Sequence, residues 1–284
     1  MALRIGSMPS SMSLFAQRQL SIHTASIARS YERLSSGRRI NRASDGPAEL
    51  AMSEKLRARG SGIARARLGM VDALSTAQVG ESALGETGGL LIRVRELAVQ
   101  AANGSLGDRE RRIIAEEADG LLAEVDRIAV TTQFAGRTLL SGGPSISTTT
   151  DAEGAVAFSL PAIDARRTAL GLGSIDLASD PSTAADAFAA LDDAIDRVSS
   201  DRAALGSGMN VLESRIRQSL VEEENARAAE SRIVDTDYAA ETADLARAQI
   251  LQQTTLAVIA QERVEQKMVL KLIEDATGVA TSTG

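Results

Sequence analysis

A heptad repeat of apolar side chains constrains the fold of this chain more than any other feature of its sequence. From Leu56 to Ala98 every seventh residue is apolar, and a second seam of mostly small residues alternates with the first. Two such seams form the contact stripe of a coiled coil. A helix over roughly residues 45–103 would be ~90 Å long at ~1.5 Å per residue, which predicts a rod. The first seam contains Leu56, Ile63, Met70, Ala77, Leu84, Leu91 and Ala98.

A short break separates this helix from a second one. The sequence Asn-Gly-Ser-Leu-Gly-Asp at residues 103–108 interrupts the repeat, and Asp108 is a candidate N-cap for the helix that follows. Because so short a connection keeps neighbouring helices together, we expect these two helices to lie antiparallel. The expected seam of the second helix is Ile114, Ala118, Leu121, Val125, Ile128 and Thr132.

The middle of the chain lacks a helical period. Residues 142–183 contain three of the five prolines, a Ser/Thr run and a strand-like segment at 155–160, which together predict a small β-hairpin or loop. A second heptad array begins after Pro181. The sequence therefore predicts a mainly α fold, a long antiparallel helical coiled-coil rod with a small β-hairpin/loop insert. The second array contains Leu191, Val198, Leu205, Leu212, Ser219, Ala226 and Ile233.

Both ends of the chain are also predicted to be helical, and both are unusually apolar. Near the start, apolar residues recur at alternating spacings of four and three, and residues 256–260 near the other end are continuously apolar. This surface is too large to bury within a lone helical hairpin. We therefore expect the terminal helices to be frayed until they meet partners.

These patterns divide the chain into five segments. Residues 1–44 form a terminal helix with a linker, and residues 45–141 form the N-terminal half of the rod. Residues 142–183 are the insert, residues 184–235 the C-terminal half of the rod, and residues 236–284 the second terminal helix with a polar tail.

Composition excludes several classes of function. The net charge of −7 leaves no basic face for nucleic acid. Cysteine is absent and His23 is the only histidine, so no catalytic, cofactor or metal site is expected, and we predict that the chain is not an enzyme. The sequence contains no run of 18 apolar residues, so we expect no membrane insertion. Residues 1–19 lack the apolar stretch of a cleavable signal peptide.

Five stretches of sequence resemble the signature motifs of bacterial flagellins. They frame nearly the whole chain in the order expected for the family. They are Glu-Arg-Leu-Ser-Ser-Gly-Arg-Arg-Ile-Asn-Arg-Ala-Ser-Asp at 32–45, Arg-Val-Arg-Glu-Leu-Ala-Val-Gln-Ala-Ala-Asn at 93–103, Gln-Phe-Ala-Gly-Arg-Thr-Leu-Leu-Ser-Gly at 133–142, Ser-Arg-Ile-Val-Asp-Thr-Asp-Tyr-Ala-Ala-Glu at 231–241 and Arg-Ala-Gln-Ile-Leu-Gln-Gln at 247–253.

The resemblance implies a structural subunit that polymerises through its terminal helices into the extracellular flagellar filament used for swimming. It implies export by the flagellar type III apparatus with a chaperone, and contacts with hook-associated junction and cap proteins. The short insert implies a thin, smooth filament. The expected inner-tube assembly residues are Leu20, Ile27, Tyr31, Leu34, Ile250, Leu251, Leu256, Ile259, Val264 and Met268, and the expected rod-packing residues are Leu56, Ile63, Met70, Leu84, Leu91, Leu191, Val198, Leu205 and Leu212.

Several alternatives remain open at this point. A hook-filament junction protein would share the helical ends. By resemblance, Arg93, Leu97 and Glu117 match a surface recognised by a host Toll-like receptor, with structural packing as the alternative. The segment at 265–284 departs from the family's usual ending and either projects into the filament channel or folds back. Candidate O-glycosylation sites, with an unmodified loop as the alternative, are Ser145, Ser147, Thr148, Thr149 and Thr150.

Overall fold

A computed structural model describes residues 11–150 and 157–277. Over these residues the chain forms five helices and four short strands, which confirms the mainly α class with a small β insert. Residues 278–284 of the predicted polar tail, and residues 155–156 of the predicted strand, lie outside the described residues. The elements are α1 Ser11–Ser36, α2 Pro47–Ala101, α3 Asp108–Thr131, β1 Gln133–Phe134, β2 Arg137–Thr138, β3 Ile146–Thr149, β4 Ala157–Leu160, α4 Pro181–Val234 and α5 Tyr238–Thr277.

The chain divides into two compact units. One unit combines Met1–Leu56 with Ala228–Gly284, and the other is Arg57–Arg227. We call the first the terminal unit and the second the central unit.

In the central unit, α2 and α4 pack side by side and antiparallel. The Arg95 Nε lies 2.6 Å from the Asp192 Oδ1, whereas Gly80, earlier on α2, faces Leu205, later on α4. Most positions of the heptad arrays predicted at 56–98 and 191–233 are buried in the structure. Leu56, which belongs to the terminal unit, is half-buried. Buried residues of the two arrays are Ile63, Met70, Ala77, Leu84, Leu91, Ala98, Leu191, Val198, Leu205, Leu212, Ser219 and Ala226.

The third helix adds another layer to this core, with two differences from the sequence-based expectation. Leu122 is buried at 1% exposure while Leu121 is half-buried, so the seam passes through the later leucine. Asp108 is not the N-cap: Gly107 holds that position in an extended conformation, without a side-chain cap. Asp108 instead accepts a hydrogen bond at 2.7 Å from the Arg111 Nη2 in the same helical turn.

Two hairpins follow α3, the first just before the predicted insert at 142–183 and the second within it. In the first, β1 pairs antiparallel with β2, and Ala135 and Gly136 between them have φ angles of 49° and 79°, the left-handed conformation of a tight hairpin turn. In the second, β3 pairs antiparallel with β4, with Ile146 opposite Leu160. A Cβ on Gly208 of α4 would lie 3.1 Å from the Leu160 side chain, so the missing side chain at Gly208 admits the hairpin.

Residues 161–180 are more deeply buried than a surface loop would be. Arg167 anchors this segment, because its backbone N–H donates to the Asp126 Oδ1 at 2.7 Å and its guanidinium lies 3.2 Å from the Asp119 carboxylate. The segment therefore completes the central core. Its buried side chains are Ile163, Ala165, Leu170, Leu172 and Leu177.

We expect Leu84→Ala to lower the free energy of unfolding of the central unit by about 2–5 kcal/mol, because the side chain is fully buried and its removal leaves a cavity. Leu68→Ala on the same helix is the matched control. Its side chain is 63% exposed, and the expected loss is below about 1 kcal/mol. Urea unfolding followed by circular dichroism measures both. Equal losses in the two variants would show that α2 does not present its heptad seam to the core.

Candidate assembly surface

The terminal unit contains a pair of antiparallel helices, α1 and α5. Gln252 donates from its Nε2 to the Thr24 Oγ1 at 3.1 Å, and Gln249 donates to the Tyr31 Oη at 3.2 Å. Nearer the connections, the Arg33 guanidinium lies 3.4 Å from the Glu241 carboxylate. These contacts join the N-terminal and C-terminal ends of the chain through polar groups.

A short backbone ladder closes the same unit. The Arg39 N–H donates to the Val234 carbonyl at 2.6 Å, and the Thr236 N–H donates to the Gly37 carbonyl at 3.0 Å. Gly37 has a φ of +70°, and a Cβ there would lie 3.1 Å from the Tyr238 Oη. Glycine is therefore required at residue 37 both by the backbone conformation and by the close approach of the tyrosine.

The connection that leads into α2 is held by one carboxylate. The Asp45 Oδ2 accepts hydrogen bonds from the backbone N–H groups of Arg42 at 2.9 Å and Asn41 at 3.1 Å. These two backbone donors hold the pKa of the Asp45 carboxyl below its ordinary value. The sequence motif at 32–45 thus has a local structural reason, because Gly37 and Asp45 each fix one part of the turn.

The apolar faces of α1 and α5 are mostly uncovered. Among the described side chains of these two helices, the buried set is Ala16, Ser30 and Ala248. More than half of the large hydrophobic side chains that the structure exposes lie on these two helices. Those on α5 are Tyr238, Ile250, Leu251, Leu256, Val258, Val264, Met268, Val269 and Leu272, with exposures of 42% to 65%.

The residues predicted for an assembly interface fall into two groups. Tyr31, at 55% exposure, and five α5 residues are exposed, while the rest are half-buried. The exposed α5 residues are Ile250, Leu251, Leu256, Val264 and Met268, and the half-buried residues are Leu20, Ile27, Leu34 and Ile259.

The sequence analysis missed an exposed apolar group at the start of α1. The spacing of Met12, Phe15 and Ile22 by three and seven residues was the available signal, because it places them on one side of a helix. Exposed large hydrophobics in this group are Met12, Leu14, Phe15 and Ile22.

The candidate receptor surface is only partly at the surface. Arg93 and Glu117 are about half exposed and form an ion pair at 3.2 Å. The prediction is wrong for Leu97 as a surface residue, because its side chain is 2% exposed and lies in the main hydrophobic core. The Leu97 side chain faces the core side of α2, so packing explains why a leucine occupies this position.

The candidate glycosylation sites differ in accessibility. Ser145, Ser147 and Thr149 are exposed, whereas Thr148 and Thr150 are half-buried. Thr148 lies on the face of β3 turned towards α2, with its Oγ1 only 2.9 Å from where a Cβ on Gly69 would be. We therefore expect Thr148 to be less reachable than its exposed neighbours.

Metal binding and membrane insertion can both be checked against the described residues. They hold no group of three or more His, Cys, Asp or Glu side chains positioned to bind a metal ion. No helix within residues 11–150 and 157–277 combines the length and hydrophobicity needed to cross a membrane. The exposed apolar faces of α1 and α5 form the candidate assembly surface.

Comparison with known proteins gives the family. A helical pair with unburied apolar faces is typical of a subunit that needs partners. Residues 10–144 match the bacterial flagellin N-terminal helical region, and residues 188–273 match the bacterial flagellin C-terminal helical region. The chain belongs to the bacterial flagellin family.

Individual relatives cover nearly the whole chain. The flagellar filament 33 kDa core protein of Treponema phagedenis is 38% identical over 92% of this chain and 96% of its own length. Flagellin FlaB2 of Treponema pallidum is 37% identical over the same shares, and the flagellin of Bacillus subtilis is 35% identical over 90% and 95%.

A solved structure shares the fold at lower identity. A Vibrio parahaemolyticus protein provisionally named as flagellar hook-associated is 15% identical, with a TM-score of 0.58 over 67% of this chain and 100% of its own.

We expect Asp45→Asn to reduce the dependence of terminal-unit stability on acid. Because the folded pKa of Asp45 is lowered, its stabilising effect is present above the unfolded pKa of ~3.9 and is lost as the pH falls through the folded value. Thermal unfolding of both chains between neutral pH and pH ~2 measures the difference. The same loss of stability on acidification in both chains would contradict a role for this carboxylate.

Proposed function

We propose that this protein is a structural subunit that polymerises through α1 and α5 into the bacterial flagellar filament used for swimming. One observation carries the proposal: the two terminal helices expose large apolar faces that the terminal unit itself leaves uncovered. The family supports it, since flagellins are structural proteins and several relatives are named filament core proteins. We assign the chain no catalytic role.

The energetics favour ordering that is coupled to assembly. Burying one large aliphatic side chain is worth roughly 1.5–3 kcal/mol, and many such side chains on α5 are about half exposed. Ordering a residue costs about 1–2 kcal/mol of backbone entropy, so a helix pair with few buried side chains gains little by folding alone. Contact with neighbouring subunits supplies the missing burial, which allows a soluble subunit and a stable polymer from one sequence.

The contact between subunits is heterologous. A flagellar filament is an open helical array, and such an array forms when one face of a subunit binds a different face of the next and the rotation does not close. The exposed residues of α1 and α5 provide apolar faces of different composition for such a contact. The short insert at 142–183 adds no large outer domain, and we propose a thin, smooth filament.

The remaining assignments follow from family membership. We propose that the subunit is secreted by the flagellar type III export apparatus with a chaperone, and that in the extracellular filament it contacts hook-associated junction and cap proteins. A host Toll-like receptor would meet Arg93 and Glu117, the two exposed members of the predicted receptor surface.

A hook-filament junction protein is the second candidate. This second candidate is retained because the Vibrio parahaemolyticus protein provisionally named as flagellar hook-associated shares the fold. Greater weight falls on the filament subunit, because relatives named as filament core proteins or flagellins match at 35–38% identity over at least 90% of the chain.

We expect backbone amides of α1 and α5 to exchange with solvent at least about tenfold faster in the soluble subunit than those of α2 and α4 within Arg57–Arg227. The reason is the small number of buried side chains in the terminal unit. Hydrogen exchange followed by mass spectrometry measures this difference, and polymerisation should remove it. Equal protection in the soluble subunit would mean that the terminal helices are stable without neighbours.

We expect Ile250→Lys to raise the critical concentration for filament growth by at least about 100-fold, because it places a charge on an apolar face that assembly would bury. Ile250→Leu is the matched control and should assemble like the parent, since it keeps the apolar area. Electron microscopy and sedimentation of purified, polymerised protein measure both, and circular dichroism checks the fold.

A chain truncated before Ala239 gives a second test, because it removes nearly all of α5. Filaments from the full chain and none from the truncated chain are expected. Filaments from the truncated chain would refute polymerisation through α5. No filaments from either chain, together with capping of another flagellin's filaments, would instead identify a junction protein.

A further inference from the structure

The connection between α2 and α3 contains an asparagine followed by glycine, and its geometry suggests a chemical reaction. Asn103 and Gly104 are both exposed, and nothing lies within 4 Å of the position that a Cβ on Gly104 would occupy. The Asn103 Oδ1 accepts two hydrogen bonds from Ser105, at 3.1 Å from the backbone N–H and at 2.9 Å from the Oγ. The side-chain carbonyl of Asn103 is therefore polarised by two donors, and the following residue has no Cβ and lies in open space.

We infer that Asn103 is a site of spontaneous, self-promoted deamidation in the folded subunit. The Gly104 backbone nitrogen loses its proton to solvent base and attacks the Asn103 Cγ, forming a C–N bond. The bond from Cγ to Nδ2 then breaks, and ammonia leaves after taking a proton from water. Water opens the resulting five-membered succinimide at either carbonyl, giving aspartate or isoaspartate. The net reaction consumes one water, releases one ammonia and changes no oxidation state.

Ser105 has a direct part in this reaction. Negative charge develops on the Oδ1 when the nitrogen attacks, and both Ser105 donors already point at that oxygen. Preorganised donors at a developing oxyanion lower the barrier because they need not reorient. Gly104 contributes by lacking a Cβ, which leaves the approach of its nitrogen to Cγ free of steric hindrance.

The other parts of the chain provide internal controls. Asn210 and Asn225 lie on α4 and are exposed, but they are followed by Val211 and Ala226. Inside a helix the next backbone N–H is committed to the carbonyl four residues earlier, and both following residues carry a Cβ. Their exposure without reaction would show that accessibility alone is not enough.

The product would alter a well-anchored turn. The Leu106 N–H donates to the Asn103 carbonyl at 3.1 Å, and the Arg111 Nη1 donates to the Leu106 carbonyl at 2.8 Å. Isoaspartate adds one carbon to the backbone at residue 103 and would disturb this hydrogen-bonded turn. Either product also places a negative charge just beyond the C-terminus of α2, where the helix dipole is unfavourable to an anion.

The test is incubation of the purified full-length subunit at neutral to mildly alkaline pH, with tryptic peptides followed by mass spectrometry over time. The peptides at 96–109, 203–215 and 218–227 separate the three asparagines. Replacement of the amide NH2 by OH gives the mass gain, and an isoaspartate-specific methylation assay identifies the backbone isomer. We expect Asn103 to react at least about tenfold faster than Asn210 and Asn225, and faster as the pH rises. Equal rates at all three would overturn the assignment.

Two variants separate the contributions of the residues. We expect Ser105→Ala to slow the reaction roughly tenfold. This loss is smaller than that caused by removing a donor from a buried oxyanion hole, because water reaches this loop and can replace the hydroxyl. Gly104→Ala should slow the reaction more than Ser105→Ala does, because it adds a Cβ next to the attacking nitrogen. Circular dichroism confirms that both variants stay folded. A Ser105→Ala rate equal to or above that of the parent would overturn the role of Ser105.

A denatured parent chain supplies the last comparison. In denaturant the Ser105 donors no longer point at Oδ1, while the local sequence is unchanged. We expect the folded subunit to react at least as fast as the denatured one. A folded chain that reacts more slowly would show that the native turn protects Asn103, which would overturn the proposal even if some deamidation occurs.

Discussion

The central unit depends on close contact between small side chains in the seam of α2 and α4. The seam of α2 alternates leucine, isoleucine and methionine with residues such as Ala66, Ala73 and Gly80, all of which are buried. A Cβ on Gly80 would lie in ordinary contact with the Leu205 side chain, at 3.5 Å, so the two helices approach closely at this point. With aromatic residues at only 2% of the chain, burial is achieved by length of contact along the helices.

The same seam contains polar groups that oppose sliding of one helix along the other. Glu223 of α4 is 5% exposed, and its carboxylate lies 3.0 Å from the Arg67 guanidinium of α2 and 2.5 Å from that of Arg227. Sliding α2 along α4 would separate Glu223 from Arg67 and leave this nearly buried carboxylate with Arg227 of its own helix, and the loss of a partner of a buried charge is unfavourable. The pair therefore favours one register of α2 against α4, while the leucines along the seam supply most of the burial. Together they give this part of the chain a defined core without help from other subunits.

The helices could be predicted from the sequence because a heptad period is written directly in the order of residues. Details that depend on backbone conformation or on distant contacts could not. Aspartate is a common N-cap residue, which is why Asp108 was expected there, but the extended backbone that a cap needs lies at Gly107. Residues 161–180 contain proline and glycine and resemble a loop, yet the contacts of Arg167 with Asp119 and Asp126 hold that segment against the core. For the candidate site, the sequence predicted the apolar character of α5. It did not predict the burial of Leu97, because a motif match identifies which residue corresponds to the family's surface but not how exposed its side chain is.

The two units show how one chain meets opposite requirements. The central unit buries its leucines and valines and exposes scattered single hydrophobics, as an ordinary soluble domain does. The terminal unit joins its helices partly by polar contacts, such as those of Gln249 and Gln252, and leaves most large apolar side chains of α1 and α5 exposed or half-buried. Polar contacts of this kind have a small net effect in water, so they set the pairing of α1 with α5 without making the pair self-sufficient. A subunit with this division can remain folded in its central unit while its ends stay dependent on neighbours, and that dependence is what an assembly reaction can use.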